Sequence, residues 1–253
     1  MEFLGIIPAR YGSTRLEGKP LVDICGKPMI QWVYEQATKA LEHVYVATDD
    51  HRIAETVKEF GGKVIMTSPD HHNGTSRCLE AYEKIVQLEG RDFDAAINIQ
   101  GDEPMLEAAS LKDLIKCFDE PGTEFATLVI PVSTVEELFN DSEVFVTFDL
   151  NMNALYFSRS VIPHVRGHHK IHWLKHTMIH KHLGLYAYTL EALRDFSKMP
   201  PSRLEKLESL EQNRWIENGR KIRIGVTTHE SIPVDTKDDL RLVRELMEAR
   251  LSR

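Results

Sequence analysis

The chain is poor in cysteine, has no long apolar run and carries no excess of positive charge. Its three cysteines, Cys25, Cys78 and Cys117, stand far apart, and no C-x-x-C pair occurs. That spacing suggests neither a disulfide framework nor a zinc site, and it points to reduced, buried thiols in a cytosolic protein. No apolar stretch approaches the roughly eighteen residues of a membrane span. The first apolar run is too short, and lacks the basic leader, for a signal peptide. With 31 Lys and Arg against 39 Asp and Glu, a formal net charge of -8, the chain is not built for non-specific nucleic-acid binding or an anionic membrane surface. Two phosphate motifs are also missing. The dinucleotide G-x-G-x-x-G does not occur, and the P-loop spacing fails because five residues separate Gly12 from Gly18 and Pro20 stands where a hydroxyl is required.

What is present is ordinary in bulk: 253 residues, 42% hydrophobic and 28% charged, enough for one large α/β domain or two small ones. There are no repeats, low-complexity tracts or clear linkers. The N-terminal stretch stands out. An apolar run, Phe3 to Ile7, reads as a buried strand that Pro8 should end. A loop with Gly12, Ser13, Gly18 and the cations Arg10, Arg15 and Lys19 follows. Glycines let backbone N–H groups approach phosphate oxygens, and the cations neutralise their charge. On composition the same segment could be a basic surface turn.

Further on, strands are expected at 44–47, 63–66 and 95–99, alternating with helices at 28–41, 52–60, 78–87 and 109–118. Apolar strands alternating with helices indicate a mostly parallel mixed sheet covered by helices. In such sheets ligands bind beyond the carboxyl ends of the strands. The N-terminal loop, Thr48-Asp49, the polar loop 68–77 and Asp102 all fall there. The second half carries expected strands at 125–132, 144–148, 154–157, 183–188 and 222–226, and helices at 190–196, 204–218 and 237–251. A single domain over 1–253 fits, a mixed sheet with an inserted substrate-facing part.

Asp102 lies one glycine beyond a buried strand, in Gln100-Gly101-Asp102-Glu103-Pro104. A carboxylate there suits Mg2+ on a nucleotide's phosphates, because magnesium takes hard oxygen ligands and is commonly held by one or two carboxylates. Asp235, in Ile232-Pro233-Val234-Asp235-Thr236, would complete the pair. For both, a turn or helix-capping role is the competing reading.

The opening segment resembles the R-x-A-S-T-R-L-P-G-K-P-L signature of the 3-deoxy-manno-octulosonate cytidylyltransferase (CMP-Kdo synthetase) family. Blocks at 98–104 (N-I-Q-G-D-E-P), 154–159 (A-L-Y-F-S-R), 182–188 (H-L-G-L-Y-A-Y), 210–214 (L-E-Q-N-R) and 234–236 (V-D-T) are similar to that family's and come in its order. The resemblance implies a nucleotide-diphospho-sugar transferase fold, Rossmann-like and three-layered, and a cytoplasmic homodimer. It implies that 1–120 is mainly nucleotide-binding and 121–253 mainly sugar-binding and dimer-forming. It implies CTP and a 3-deoxy-ulosonic acid as substrates, Mg2+ as cofactor and a product for lipopolysaccharide assembly. Position by position, it implies that Arg10, Gly12, Ser13, Arg15, Lys19 and Gln100 hold CTP and that Asp102 and Asp235 hold the metal. Arg77, Gln100, Arg159, His182, Tyr186, Glu211 and Gln212 would line the sugar-acid pocket, where arginine suits a carboxylate and Gln, Tyr and Glu suit hydroxyls.

The chain departs from the pattern at four points. Glu17 replaces a proline, Asn73 and Ser76 turn S-G-T-[DE]-R into N-G-T-S-R, and Phe145 replaces a lysine. Those changes bear on which acidic sugar is used, so amino-Kdo or a sialic-type acid stays open beside Kdo. A non-catalytic nucleotide-binding protein of the same fold stays open too. Finally, seven histidines crowd into 164–182, and His168, His172, His176 and His180 follow one another at a spacing of four. On one helix they would form a metal-binding stripe. Gly167 and the strand expected near His180 favour solvated loop histidines instead.

Overall fold

The computed structural model describes residues 1–12, 15–71 and 73–252. It is a mixed α/β protein, as expected, and the chain divides into two compact units. One comprises Met1–Lys112, Ala187–Ser197 and the chain from His229 onward; the other comprises Asp113–Tyr186 and Lys198–Thr228.

In chain order, the elements begin with β1 (Phe3–Ala9), the short pair β2 (Asp23–Ile24) and β3 (Lys27–Pro28), and α1 (Met29–Ala37). Then come β4 (His43–Thr48), α2 (His51–Glu59), β5 (Val64–Met66), α3 (Gly74–Glu89), β6 (Ala95–Asn98) and α4 (Ala108–Lys116). The later part holds β7 (Phe125–Pro131), β8 (Phe145–Phe148), β9 (Ala154–Ser158), β10 (His180–Thr189) and α5 (Leu190–Lys198). It closes with α6 (Arg203–Glu208), α7 (Gln212–Glu217), β11 (Arg223–Val226) and α8 (Lys237–Leu251).

In the first unit the strand order is β6-β1-β4-β5, with all pairs parallel. The buried runs Phe3–Ile7 and Val44–Ala47 follow from this, because a parallel strand hidden on both faces is apolar on both. The chain leaves β1 for β4 and β5 on one side, then returns to β6 on the other. Loops from β1 and β6 therefore part in opposite directions, which opens a crevice at their carboxyl ends.

Pro8 does not end β1, which continues to Ala9 and stays in register with Ala47 and Thr48. Ile6 O accepts the Ile99 amide on the β6 side, so position 8, two residues on, faces the same side. Pairing with β6 has already stopped at Ile6–Asn98. The missing proline N–H thus costs no ladder bond.

In the second unit β7 pairs with β11 in parallel and is followed by β10, while β8 and β9 add an antiparallel extension. The helix expected over 204–218 is two helices. Ser209 takes the left-handed conformation, φ 54, at the end of α6. A capping box of Ser202 and Glu205 starts α6, and Glu205 is also bound by Arg214 of α7, so the two short helices share one buried ion pair. Phe145 is fully buried with Val132, Leu138, Trp173 and Ile179. Opposite it on β10 stands Lys181, itself buried, with Nζ 2.5 Å from Glu137. Burial opposes the charge, yet Lys181, Ser133 and the Thr134 amide together hold the Glu137 carboxyl down to about 2.

The histidine-rich segment is no continuous helix. A 3-10 turn covers Lys170–Lys175 and β10 begins at His180. His168 and His176 stack, ring centroids 3.6 Å apart, and His164 meets Trp173 edge-on. Among the described residues no three metal-ligating side chains converge, and no helix is long and apolar enough to cross a membrane.

Candidate active site

A cleft of about 410 Å³ opens at the carboxyl ends of β1 and β6, entirely within the first unit. From β1 come Pro8, Ala9 and Arg10, and from β6 come Gln100, Gly101 and Asp102. The loop before α3 and its first turn supply His71, Asn73, Gly74 and Arg77, while Arg15, Lys19 and Asp235 complete the wall. Backbone packing dictates two of these positions. Gly18 is left-handed, φ 64, and begins the 3-10 turn Lys19–Leu21 that points Lys19 inward. A Cβ at Gly101 would lie 3.0 Å from Pro8 O, so a larger residue there would push the two strand ends slightly apart.

The carboxylates are brought together by main chain. Val234 N–H donates to Asp102 O at 2.9 Å, and the fully buried Val234 side chain anchors that contact in a cluster with Leu16, Ile24, Met29, Leu240 and Val243. Asp235 is not the cap of α8. Thr236 is, in a reciprocal box with Asp239, and Asp239 Oδ2 also accepts the Asp235 amide at 3.0 Å. Asp102 caps no helix either, since α4 starts at Ala108. Both carboxylates are thereby left facing the cleft. Lys19 Nζ lies 2.6 Å from Asp102 Oδ2 and 2.9 Å from Asp235 Oδ1, and Arg15 reaches Asp235 at 3.1 Å. Burial disfavours the Lys19 ammonium, but Asp102 and then Asp235 outweigh it and its pKa is raised.

Arg77 is buried, with Nη1 donating to Thr67 Oγ1 at 2.6 Å and lying 3.2 Å from Asp49. Helix α3 starts at Gly74 rather than at 78 because Asn73 caps it, accepting the Ser76 amide at 2.9 Å. Arg10 and Gly12 are exposed in the loop, and Gln100 is half-buried on the wall. Ser13 lies outside the described residues.

The remaining sugar candidates belong to the second unit. Tyr186 O–H donates to Gln212 Oε1 at 3.4 Å, and the His182 and Tyr186 rings are 5.3 Å apart. Gln212 is buried, and its Nε2 has no hydrogen-bond partner among the described residues. Thr127 Oγ1 donates to Leu185 O at 2.7 Å and so accepts from His182 Nε2 at 2.9 Å. Burial pushes the His182 imidazole down to about 3, which keeps it neutral. Glu211 precedes α7 and is half-buried. Arg159 is exposed, and its Nε donates to Glu208 O at 2.9 Å.

Three groups escaped the sequence reading. His71 is held at both ring nitrogens, by Ser76 Oγ at Nδ1, 3.0 Å away, and by Glu80 at Nε2. Although burial opposes it, Lys84, His71 and the Ser68 amide hold the Glu80 carboxyl down to about 2. Glu103, buried behind Asp102, has its carboxyl pushed up to about 7 by burial first and by the Asp102 charge second. The one available signal was the loop 68–77 itself, whose polar residues precede a helix with a carboxylate at position 80.

Cations and paired carboxylates at the carboxyl ends of parallel strands define a nucleotide-handling α/β protein. Comparison with known proteins narrows the class. The family model described as Cytidylyltransferase matches residues 4–222. A Bacteroides thetaiotaomicron protein named 3-deoxy-manno-octulosonate cytidylyltransferase is 51% identical over 253 residues, 99% of this chain and 100% of its own. A Shewanella woodyi protein named 8-amino-3,8-dideoxy-manno-octulosonate cytidylyltransferase is 46% identical over 251 residues, covering 98% and 97%. The structure of a CMP:2-keto-3-deoxy-manno-octonic acid synthetase complexed with CTP superposes with a TM-score of 0.88, at 41% identity over 99% of this chain and 100% of that one. The chain belongs to the cytidylyltransferase family.

Proposed function

We propose that this chain transfers CMP from CTP to the anomeric hydroxyl of 3-deoxy-D-manno-octulosonate, giving CMP-Kdo and pyrophosphate. The observation that carries this is the convergence of Arg10, Arg15, Lys19, Asp102 and Asp235 in one cleft at the carboxyl ends of β1 and β6. CTP bound in the structurally similar synthetase supports the choice of nucleotide. Arg10, Arg15, Lys19 and Gln100 hold and orient the triphosphate. The sugar hydroxyl attacks the α-phosphorus in line and pyrophosphate leaves. Positioning and charge stabilisation supply the rate, and no covalent intermediate is needed.

Asp102 and Asp235 fit a magnesium ion. Their oxygens are hard donors and already converge on one cation, the Lys19 ammonium. Bound there, Mg2+ would neutralise charge on the phosphates. For the sugar acid, Gln212 Nε2, without a hydrogen-bond partner among the described residues, and the Tyr186 hydroxyl offer polar groups to sugar oxygens. Arg77, Arg159, His182 and Glu211 complete the set by resemblance. We further propose a cytoplasmic homodimer that supplies lipopolysaccharide assembly.

The test is pyrophosphate release from CTP and Mg2+ with and without freshly prepared Kdo, with ATP as nucleotide control. Release that requires Kdo and fails with ATP is expected. Release only with the 8-amino sugar or a sialic-type acid would move the substrate while keeping the reaction. CTP binding without turnover on any sugar acid would overturn the enzyme in favour of a binding protein.

A further inference from the structure

Among the described residues, Lys19 is the one side chain that contacts both carboxylates of the cleft. Its backbone is fixed by the Gly18 turn and the buried Pro20, so only the flexible side chain is free to move. Its side chain is 15% exposed, and its ammonium occupies the place toward which Asp102 and Asp235 both point. A divalent ion cannot share that place, because it would meet a like charge within contact distance. A displaced Lys19 would then face Arg10 and Arg15, which line the same cleft. It would have lost both carboxylates and gained two cationic neighbours. A triphosphate reverses this balance by giving the ammonium a new anion.

We propose that Lys19 is the built-in counter-cation of the Asp102–Asp235 pair, so that a divalent ion reaches the carboxylates only together with an anionic ligand that draws the ammonium away. The proposal rests on the reading of these two aspartates as metal ligands. It makes metal and nucleotide binding mutually reinforcing, and by linkage each must tighten the other by the same factor. It also gives Lys19 two successive partners: carboxylates first, phosphates once the site is loaded. The free protein then does not hold a divalent ion in a site with no nucleotide to act on.

The experiment measures Mn2+ binding to the full chain without nucleotide, by the loss of free-ion EPR signal, in wild type, Lys19→Met and Lys19→Arg. Lys19→Gln stands in if the methionine variant has a lowered melting temperature. Removing the charge should tighten Mn2+ binding roughly tenfold or more, and Lys19→Arg should stay near wild type. Calorimetry of CTP binding with and without Mn2+ should show a smaller coupling in Lys19→Met than in wild type, with only the direct attraction between metal and phosphate left. Unchanged or weaker Mn2+ binding in Lys19→Met and Lys19→Gln overturns the exchange. Mn2+ binding that survives in a Lys19→Met, Asp102→Asn double variant overturns the metal site itself, and with it the reading beneath.

Discussion

Ser76 Oγ lies 3.0 Å from Nδ1 of His71, and Glu80 holds the other ring nitrogen of the same imidazole. This contact explains the two departures in N-G-T-S-R together. Asn73 performs the helix cap through its own side chain, and Ser76 takes up His71 where the family pattern has an acidic residue. Removing the hydroxyl should cost about one neutral hydrogen bond, roughly 1 kcal/mol or about fivefold. Ser76→Ala should therefore raise KM for the anionic substrates by about that factor, and Ser76→Asp should restore it. Initial-rate kinetics in which Ser76→Ala matches wild type would detach the imidazole from substrate binding.

On the proposed reading of Asp102 as a metal ligand, Asp102→Asn should lower turnover by orders of magnitude while the melting temperature stays close to wild type, because the carboxylate lies in the cleft and not in the core. Pyrophosphate release and thermal melts, run side by side, check this. Near-normal turnover with normal metal dependence would take Asp102 out of the site.

Gln212 and Tyr186 are expected to act on one substrate only. Gln212→Ala removes a buried donor, Nε2, that has no hydrogen-bond partner among the described residues, so the KM for the sugar acid should rise roughly tenfold with the KM for CTP unmoved. Equal changes in both constants would point to a folding defect instead.

His182 predicts an acid limit to stability. Its pKa falls from 6.5 in the unfolded chain to about 3 in the fold, through burial. The unfolded state alone gains a proton between those values, so stability present above pH 6.5 is lost progressively as the pH falls. Glu80 and Glu137, both near 2 in the fold, add losses of the same sign at lower pH. Melting temperature against pH should be flatter just below 6.5 for His182→Gln than for wild type. Curves of identical shape would show that the imidazole charges in the fold.

Phe145→Lys restores the residue of the family pattern and should nonetheless destabilise this chain by about 3 kcal/mol or more. Phe145 is fully buried, and its cross-strand neighbour Lys181 already supplies a cation to Glu137 and Glu143. Urea denaturation measures it. An unchanged midpoint would mean that the new ammonium finds an anion there.

The alternating strands and helices of the first unit were legible because each strand is an apolar run closed by polar loop residues. Boundaries were less so. Pro8 looked like a stop because sequence does not reveal on which side of β1 the β6 ladder ends. Ser209 hid the break between α6 and α7 because it takes the left-handed C-cap conformation that glycine usually marks in a sequence. At the site, the cations and aspartates were readable from spacing and resemblance. Their convergence on Lys19 was not, since 83 and 216 residues separate Lys19 from its two partners. His71 went unread because its significance lies in its neighbours.

The cluster beneath the cleft joins Leu16 and Ile24 to Val234, Leu240, Val243 and Met247 of the final helix region. Segments 16–24 and 234–247 thus meet to make one floor beneath the cleft. A ribosome must therefore release α8 before this cleft can be complete. Nascent chains stalled before α8 emerges will carry Lys19 and Asp102 yet lack the packing that brings Asp235 to them.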